Sequence, residues 1–227
     1  MQLTFTLHRL DHTEIVDADF SHCIIAGWAG RDMAAIEHHI EELAELGVPR
    51  PSAVPLYYRV AANQLSQESG IQAVGASSSG EAEVFVFSHG GELLVSLASD
   101  HTDRDLEAHS VALSKQICAK PVAKEAWLFA DVANHWDELI LKSWIIEDGK
   151  EVLYQDGPLS SLQNPLKLIK DHFGQDAIPA GTGMTCGTVG AIGGIRPSAT
   201  FIMELYDPHL ERSIRHRYEL DVLPEIA

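Results

Sequence analysis

Residues 1–8, MQLTFTLH, alternate apolar and polar side chains, which is the period of a half-buried strand. A second apolar stretch, CIIAGW over Cys23–Trp28, runs into Gly27–Gly30. The period then changes. In RDMAAIEHHIEELAELG (Arg31–Gly47), Met33, Ile36, Ile40, Leu43 and Leu46 recur at helical spacing, and Gly47 with Pro49 stops the helix. Pro49, Pro51 and Pro55 make an extended connector to the strand-like PLYYRVAANQL. SSSGEAEVFVF (Ser77–Phe87) turns and then runs as a strand, His89–Gly91 is a tight turn, and ELLVSLAS continues as the second arm of a hairpin. DHTDRDLEAHSVALSKQI (Asp100–Ile117) reads as a helix opened by Asp and Thr.

Downstream, WDELILKSWIIEDGKEVLYQDG predicts two strands around a turn at Glu147–Lys150, with Trp136 buried and Asp137 starting the first strand. NPLKLIKDHFG (Asn164–Gly174) is a short amphipathic helix closed by Gly174, and FIMELYDP and IRHRYELDVLP are further strands. Strands outnumber helices and hairpins recur. The pattern describes a β-rich α+β protein with antiparallel or mixed sheets.

Composition narrows the function classes. With 227 residues, 45% of them hydrophobic, the chain can bury a sizeable core as one large domain or one domain with a small extension. The formal charge of -17 repels a phosphate backbone and argues against generic nucleic-acid binding. A small anionic substrate would need a local positive centre: a metal ion, Lys or Arg. Cys23, Cys118 and Cys186 are far apart and odd in number, which fits a reducing cytoplasm better than a disulfide framework. No apolar run approaches membrane length, so no membrane association is expected.

Glu81 and Glu83 stand two apart in a strand, so both carboxylates share one face. Like charges there repel, and a divalent cation converts that cost into binding. Alone, the pair is better described as a solvated edge strand. Asp100 changes the balance, because the hairpin returns it to the glutamates. Asp100 is also a candidate helix N-cap, although Thr102 or Asp103 can fill that role. Three carboxylate ligands describe Mg²⁺ or Mn²⁺ better than zinc.

These residues carry a resemblance to the fumarylacetoacetate hydrolase superfamily. Its members have an E-x-E on a strand and a following N-D-x-S-A-R-D-x-Q. Here the stretches are Gly80-Glu81-Ala82-Glu83 and Ser99-Asp100-His101-Thr102-Asp103-Arg104-Asp105-Leu106-Glu107. Ser114-Lys115-Gln116 resembles the family's G-K-S, Tyr154-Gln155-Asp156-Gly157 its R-Q-x-G, and Pro179–Thr188 its P-G-D-x-I-x-T-G-T. The chain also resembles a bacterial, DUF2848-like branch near this superfamily, marked by G-W-x-G-R-D, S-D-H-T-D-R and H-W-D. The resemblance implies a fold of mixed and antiparallel sheets rolled as in the fumarylacetoacetase C-terminal domain. It places Mg²⁺ or Mn²⁺ on Glu81, Glu83 and Asp100, and substrate on Arg104, Glu107, Gly187 and Thr188. Lys115 supports substrate and metal ligands, and a His-x-x-Glu dyad on a lid supplies the base. His39 with Glu42 fits that dyad, and His38 with Glu41 has the same spacing. The sequence departs from the family at Glu107 for glutamine, Arg59 for lysine, Thr182 for the aspartate of P-G-D, and in a shorter Glu83–Asp100 connection.

By this resemblance residues 1–24 form an N-terminal strand extension and residues 25–227 a catalytic domain, expected as a homodimer. The implied activity is a metal-dependent hydrolase that cleaves a C–C bond of a small 2-oxo or β-diketo acid through an enolate. A decarboxylase, hydratase or tautomerase, or a non-catalytic carboxylate-binding homologue, fits the same residues.

Overall fold

The computed structural model describes residues 1–45 and 50–226, with the side chains of His39, Glu42, Leu43 and Glu45 outside the described part. The chain opens with β1 (Gln2–His8), β2 (Thr13–Asp19), β3 (His22–Gly27) and α1 (Met33–Glu45). Then come β4 (Leu56–Val60), β5 (Leu65–Ser66), β6 (Gly70–Val74), β7 (Ser78–Ser79) and the hairpin β8 (Ala82–His89) and β9 (Glu92–Ser99). β10 (Thr102–Asp103), α2 (Arg104–Glu107), α3 (Val111–Gln116), β11 (Lys120–Pro121), β12 (Glu125–Leu128) and α4 (Phe129–Val132) follow. The last part holds β13 (Ile140–Glu147), β14 (Lys150–Pro158), α5 (Pro165–Phe173), β15 (Thr182–Thr185), β16 (Thr200–Asp207) and β17 (Arg212–Leu223).

Eight strands form a mixed sheet in the order β2-β1-β12-β9-β8-β15-β3-β4, and five form a second sheet, β14-β13-β16-β17-β6. The large sheet is rolled. Val16 on one edge strand and Val60 on the other belong to the same buried cluster as Phe5, Phe85 and Phe87. The other face of β8, carrying Val84 and Val86, packs with Leu141, Met203 and Tyr218 of the five-stranded sheet. Period-two alternation in β8 therefore sorts side chains between two cores rather than between core and water. Glu83 shares its phase with Phe85, so it points into the roll.

The hairpin expectation holds, with the turn narrowed from His89–Gly91 to Gly90–Gly91 because His89 belongs to β8. Gly90 and Gly91 have φ of 59° and 85°, as a two-residue turn of type I′ requires, and His89 pairs with Glu92. Other expectations change. Asp100–Ile117 is not one helix. Thr102–Asp103 pairs with Ser78–Ser79, then Asp103 and Ser110 each accept a backbone N–H and start separate helices, α2 and α3. Trp136 is buried, but Asp137 lies in a 3₁₀ turn and receives Arg31 through two bonds of 2.7 and 2.5 Å; the strand starts at Ile140. The helix stop assigned to Gly47 and Pro49 lies outside the described residues. No helix among the described residues is long and apolar enough to cross a membrane.

Candidate metal centre

Antiparallel register assembles the three carboxylates. Ala82 pairs with Ser99 and Glu83 with Ala98, so Asp100 falls opposite Glu81, and the Asp100 N–H donates to the Glu81 carbonyl at 2.9 Å. Cross-strand partners share a face, as do residues two apart. Glu81, Glu83 and Asp100 consequently converge, each with a carboxylate oxygen within 4.8 Å of the others. The short Glu83–Asp100 connection is what permits this: the strands are joined by the tight Gly90–Gly91 turn and stay in register throughout.

Burial makes the cluster electrostatically demanding. Asp100 is fully buried and Glu83 is 3% exposed. Lys115 Nζ lies 2.5 Å from Asp100 Oδ2, and Lys120 Nζ lies 3.1 Å from Oδ1. Burial alone would raise the Asp100 pKa, but the two ammonium groups hold it at about 2. Among the described residues no cation pairs directly with Glu83, and Lys115 acts on it only weakly. Burial, with Asp100 and Glu81 beside it, pushes its pKa up to about 8. Burial works against the Lys115 ammonium, yet Asp100 and Glu81 keep its pKa above the ordinary value. Arg104 reaches Glu81 at 3.2 Å and Glu107 at 2.8 Å.

The donor set fits a hard divalent cation. It is all oxygen, anionic and convergent, and the buried Asp100 Oδ1 makes no well-aligned hydrogen bond, facing the Lys120 ammonium at 3.1 Å. The site forms part of a cavity of about 660 Å³ that Arg104, Glu107, Lys115, Gly187 and Thr188 also line. The Gly187 N–H donates to Glu83 Oε2 at 2.9 Å, and Thr188 Oγ1 donates to the Ala82 carbonyl at 2.7 Å. Gly187 has φ of +90°, and a Cβ there would stand 2.8 Å from that of Ala29. Arg59 is exposed, and its neighbour Tyr58 faces the cavity instead. Asp32, Ala35 and Ile36 of the α1 start line the cavity, whereas the side chains of His39 and Glu42 lie outside the described residues.

Three further side chains surround the cluster, and of these Lys120 escaped the sequence reading. Lys120 is fully buried and donates to the His101 carbonyl at 2.5 Å as well as facing Asp100. Its signal was a lone lysine in the apolar run ICAKPVA. Gln155 ties the two sheets at the site: its Oε1 accepts from Ala82 N–H and Ser143 Oγ, and its Nε2 donates to Thr188 Oγ1 and the Val189 carbonyl. His101 is wedged between Tyr218 Oη and Ser78 Oγ, each at 2.9 Å. Burial, then Lys120 and Arg104, lowers its pKa to about 3, so the ring is neutral. Tyr218 in turn meets Ser99 Oγ, which accepts from the Glu81 N–H.

Comparison with known proteins places this arrangement. No curated protein matches the chain. A crystal structure of 2-keto-3-deoxyarabinonate dehydratase superposes with a TM-score of 0.67 at 15% identity, over 95% of this chain and 79% of that one. A structure of Cg1458 gives 0.62 at 14% identity, over 94% and 83%. A 2-keto-3-deoxy-D-arabinonate dehydratase complexed with magnesium and 2,5-dioxopentanoate gives 0.64 at 16% identity, over 94% and 78%. At these identities the likeness establishes the fold, a strand-rich fumarylacetoacetate-hydrolase-like architecture of mixed sheets. The family described as protein of unknown function (DUF2848) matches residues 26–218, and the chain belongs to that family.

Proposed function

We propose that the chain is a metal-dependent enzyme acting on a small 2-oxo or β-diketo acid, and that its reaction is hydrolysis of a C–C bond. The observation that carries this reading is the convergence of half-buried Glu81 with buried Glu83 and Asp100 in a cavity that also presents Arg104 and Lys115. When bound there, Mg²⁺ or Mn²⁺ supplies Lewis acidity toward the oxo and carboxylate oxygens. Arg104 and Lys115 are placed to offset negative charge that develops on the substrate. Gly187 and Thr188 border the position assigned to the substrate carboxylate, with Glu107 beside Arg104. In α1, His39 comes one turn after Ala35 and Ile36, which line the cavity, and we assign it as the base that activates water, with Glu42 as its orienting partner. The reading takes the protein to be a cytoplasmic homodimer, which light scattering on the purified chain checks for assembly.

Hydrolysis of an acylpyruvate consumes one water and yields a carboxylic acid and pyruvate. A second reading, dehydration of a 3-deoxy-2-oxo acid, is favoured by the fold shared with the magnesium-bound dehydratase. Both begin with activation next to the same oxo group. A panel of acylpyruvates, oxaloacetate and 2-keto-3-deoxy acids, assayed with Mg²⁺ and analysed for products, separates them. Pyruvate and an acid establish hydrolysis. Loss of water with the carbon chain intact establishes the dehydratase. No turnover across the panel leaves a carboxylate-binding homologue.

A further inference from the structure

The carboxylate cage takes up one part of its cavity. Apolar side chains from separate elements face the rest: Ile36 from α1, Val111 from α3, Leu162 from the turn before α5, and Val189 and Ile195 from the loop after β15. The volume of about 660 Å³ falls among sites for drug-sized ligands, roughly 300–1,000 Å³, and exceeds the needs of a three-carbon oxo acid. Charge on the lining is one-sided. Among the described lining residues the cations are Arg104 and Lys115, and both are already engaged, Arg104 with Glu81 and Glu107 and Lys115 with Asp100. The remaining charged group is Asp32, whose carboxylate also caps the start of α1 through the Ala34 and Ala35 N–H groups. Among the described lining residues a second carboxylate on the substrate would therefore meet acid and hydrocarbon. A polyhydroxylated tail would place hydroxyls against the hydrocarbon of Val111, Leu162 and Val189. Ile195 remains 53% exposed, so an apolar tail would bury surface that water now covers.

We infer that the substrate is a 2-oxo acid with an uncharged apolar tail of several carbons, seated between α1, α3 and the loop after β15. This rests on the metal-dependent 2-oxo acid reading. The test is calorimetric binding to the full chain in saturating Mn²⁺ of pyruvate, 2-oxohexanoate, 2-oxooctanoate and the dicarboxylate 2-oxoglutarate. Affinity should rise about fourfold for each buried methylene, the equivalent of about 0.8 kcal/mol, and 2-oxoglutarate should bind more weakly than 2-oxohexanoate. Val111→Ser should flatten the gain in affinity with chain length. Ile195→Ser, at an exposed position, provides the same test should Val111→Ser fail to fold. Affinity independent of length, or a preference for 2-oxoglutarate, overturns the tail assignment while pyruvate binding upholds the oxo-acid site. If Mn²⁺ binds but no oxo acid does, the oxo-acid reading falls and the tail assignment with it.

Discussion

Replacing Lys120 with Met probes the charge balance of the site, since Lys120 is fully buried and its Nζ stands 3.1 Å from Asp100 Oδ1. At an effective dielectric of about 20, Coulomb's law gives about 5 kcal/mol at that separation. The several kcal/mol needed to bury an ammonium offset much of this. Breaking a buried pair typically costs roughly 3–5 kcal/mol, and here Asp100 keeps Lys115 at 2.5 Å, so we expect about 2–4 kcal/mol of lost stability in the metal-free protein. For a chain of this length that lowers Tm by roughly 5–15 °C. The effect on the cation has the opposite sign. Four carboxylates, those of Glu81, Glu83, Asp100 and Glu107, face the three cations Arg104, Lys115 and Lys120. Removing one cation leaves the cage more negative, so Mn²⁺ affinity should increase by roughly tenfold, about 1.4 kcal/mol. Thermal scans with and without Mn²⁺ read both effects, because tighter binding gives a larger metal-induced rise in Tm. A metal-free Tm within 2 °C of wild type, or a smaller Mn²⁺ response than wild type, would refute the reasoning.

The raised pKa of Glu83 makes a prediction with a definite sign. Its folded value of about 8 lies above the ordinary 4.5, so its contribution to metal-free stability is complete below about pH 4.5 and is lost as pH rises to about 8. Bound cation requires the ionised form, so binding should release up to one proton below pH 8, and affinity should climb with pH until about 8 and then level. Calorimetry in buffers of different ionisation enthalpy measures that proton; none released at pH 6.5 would contradict the assignment. Gln155→Leu leaves Ala82 N–H, Ser143 Oγ, Thr188 Oγ1 and the Val189 carbonyl without their shared partner, and urea unfolding should show a loss of roughly 3–5 kcal/mol. Gly187→Ala adds a Cβ 2.8 Å from Ala29 at φ +90° and should cost roughly 1–3 kcal/mol while weakening Mn²⁺ binding, because it moves the N–H that holds Glu83.

The convergence of the three carboxylates was legible because it depends on local order. Glu81, Glu83 and Asp100 lie within one hairpin, and the Gly90–Gly91 turn sets its register. Period two and turn chemistry suffice for that inference. The surroundings of the triad come from contacts distant in sequence. β15 inserts between β8 and β3, which carries Gly187 to Glu83 across 104 positions. Gln155 reaches Ala82 across 73 positions from the other sheet. No periodicity encodes such pairings. Lys120 was hidden for a different reason: a lysine in an apolar run shows that a buried partner is needed, not which carboxylate supplies it. The division of Asp100–Ile117 into strand, α2 and α3 turned on two short capping side chains, Asp103 and Ser110, that an unbroken helical pattern conceals.

Calorimetric titration of Mn²⁺ into wild-type protein and into Glu81→Gln/Glu83→Gln at pH 8 tests the central claim most directly. The structure predicts one Mn²⁺ per chain in wild type and loss of that binding in the double variant, with the variant still folded by circular dichroism. Unchanged Mn²⁺ affinity in the folded double variant would contradict it.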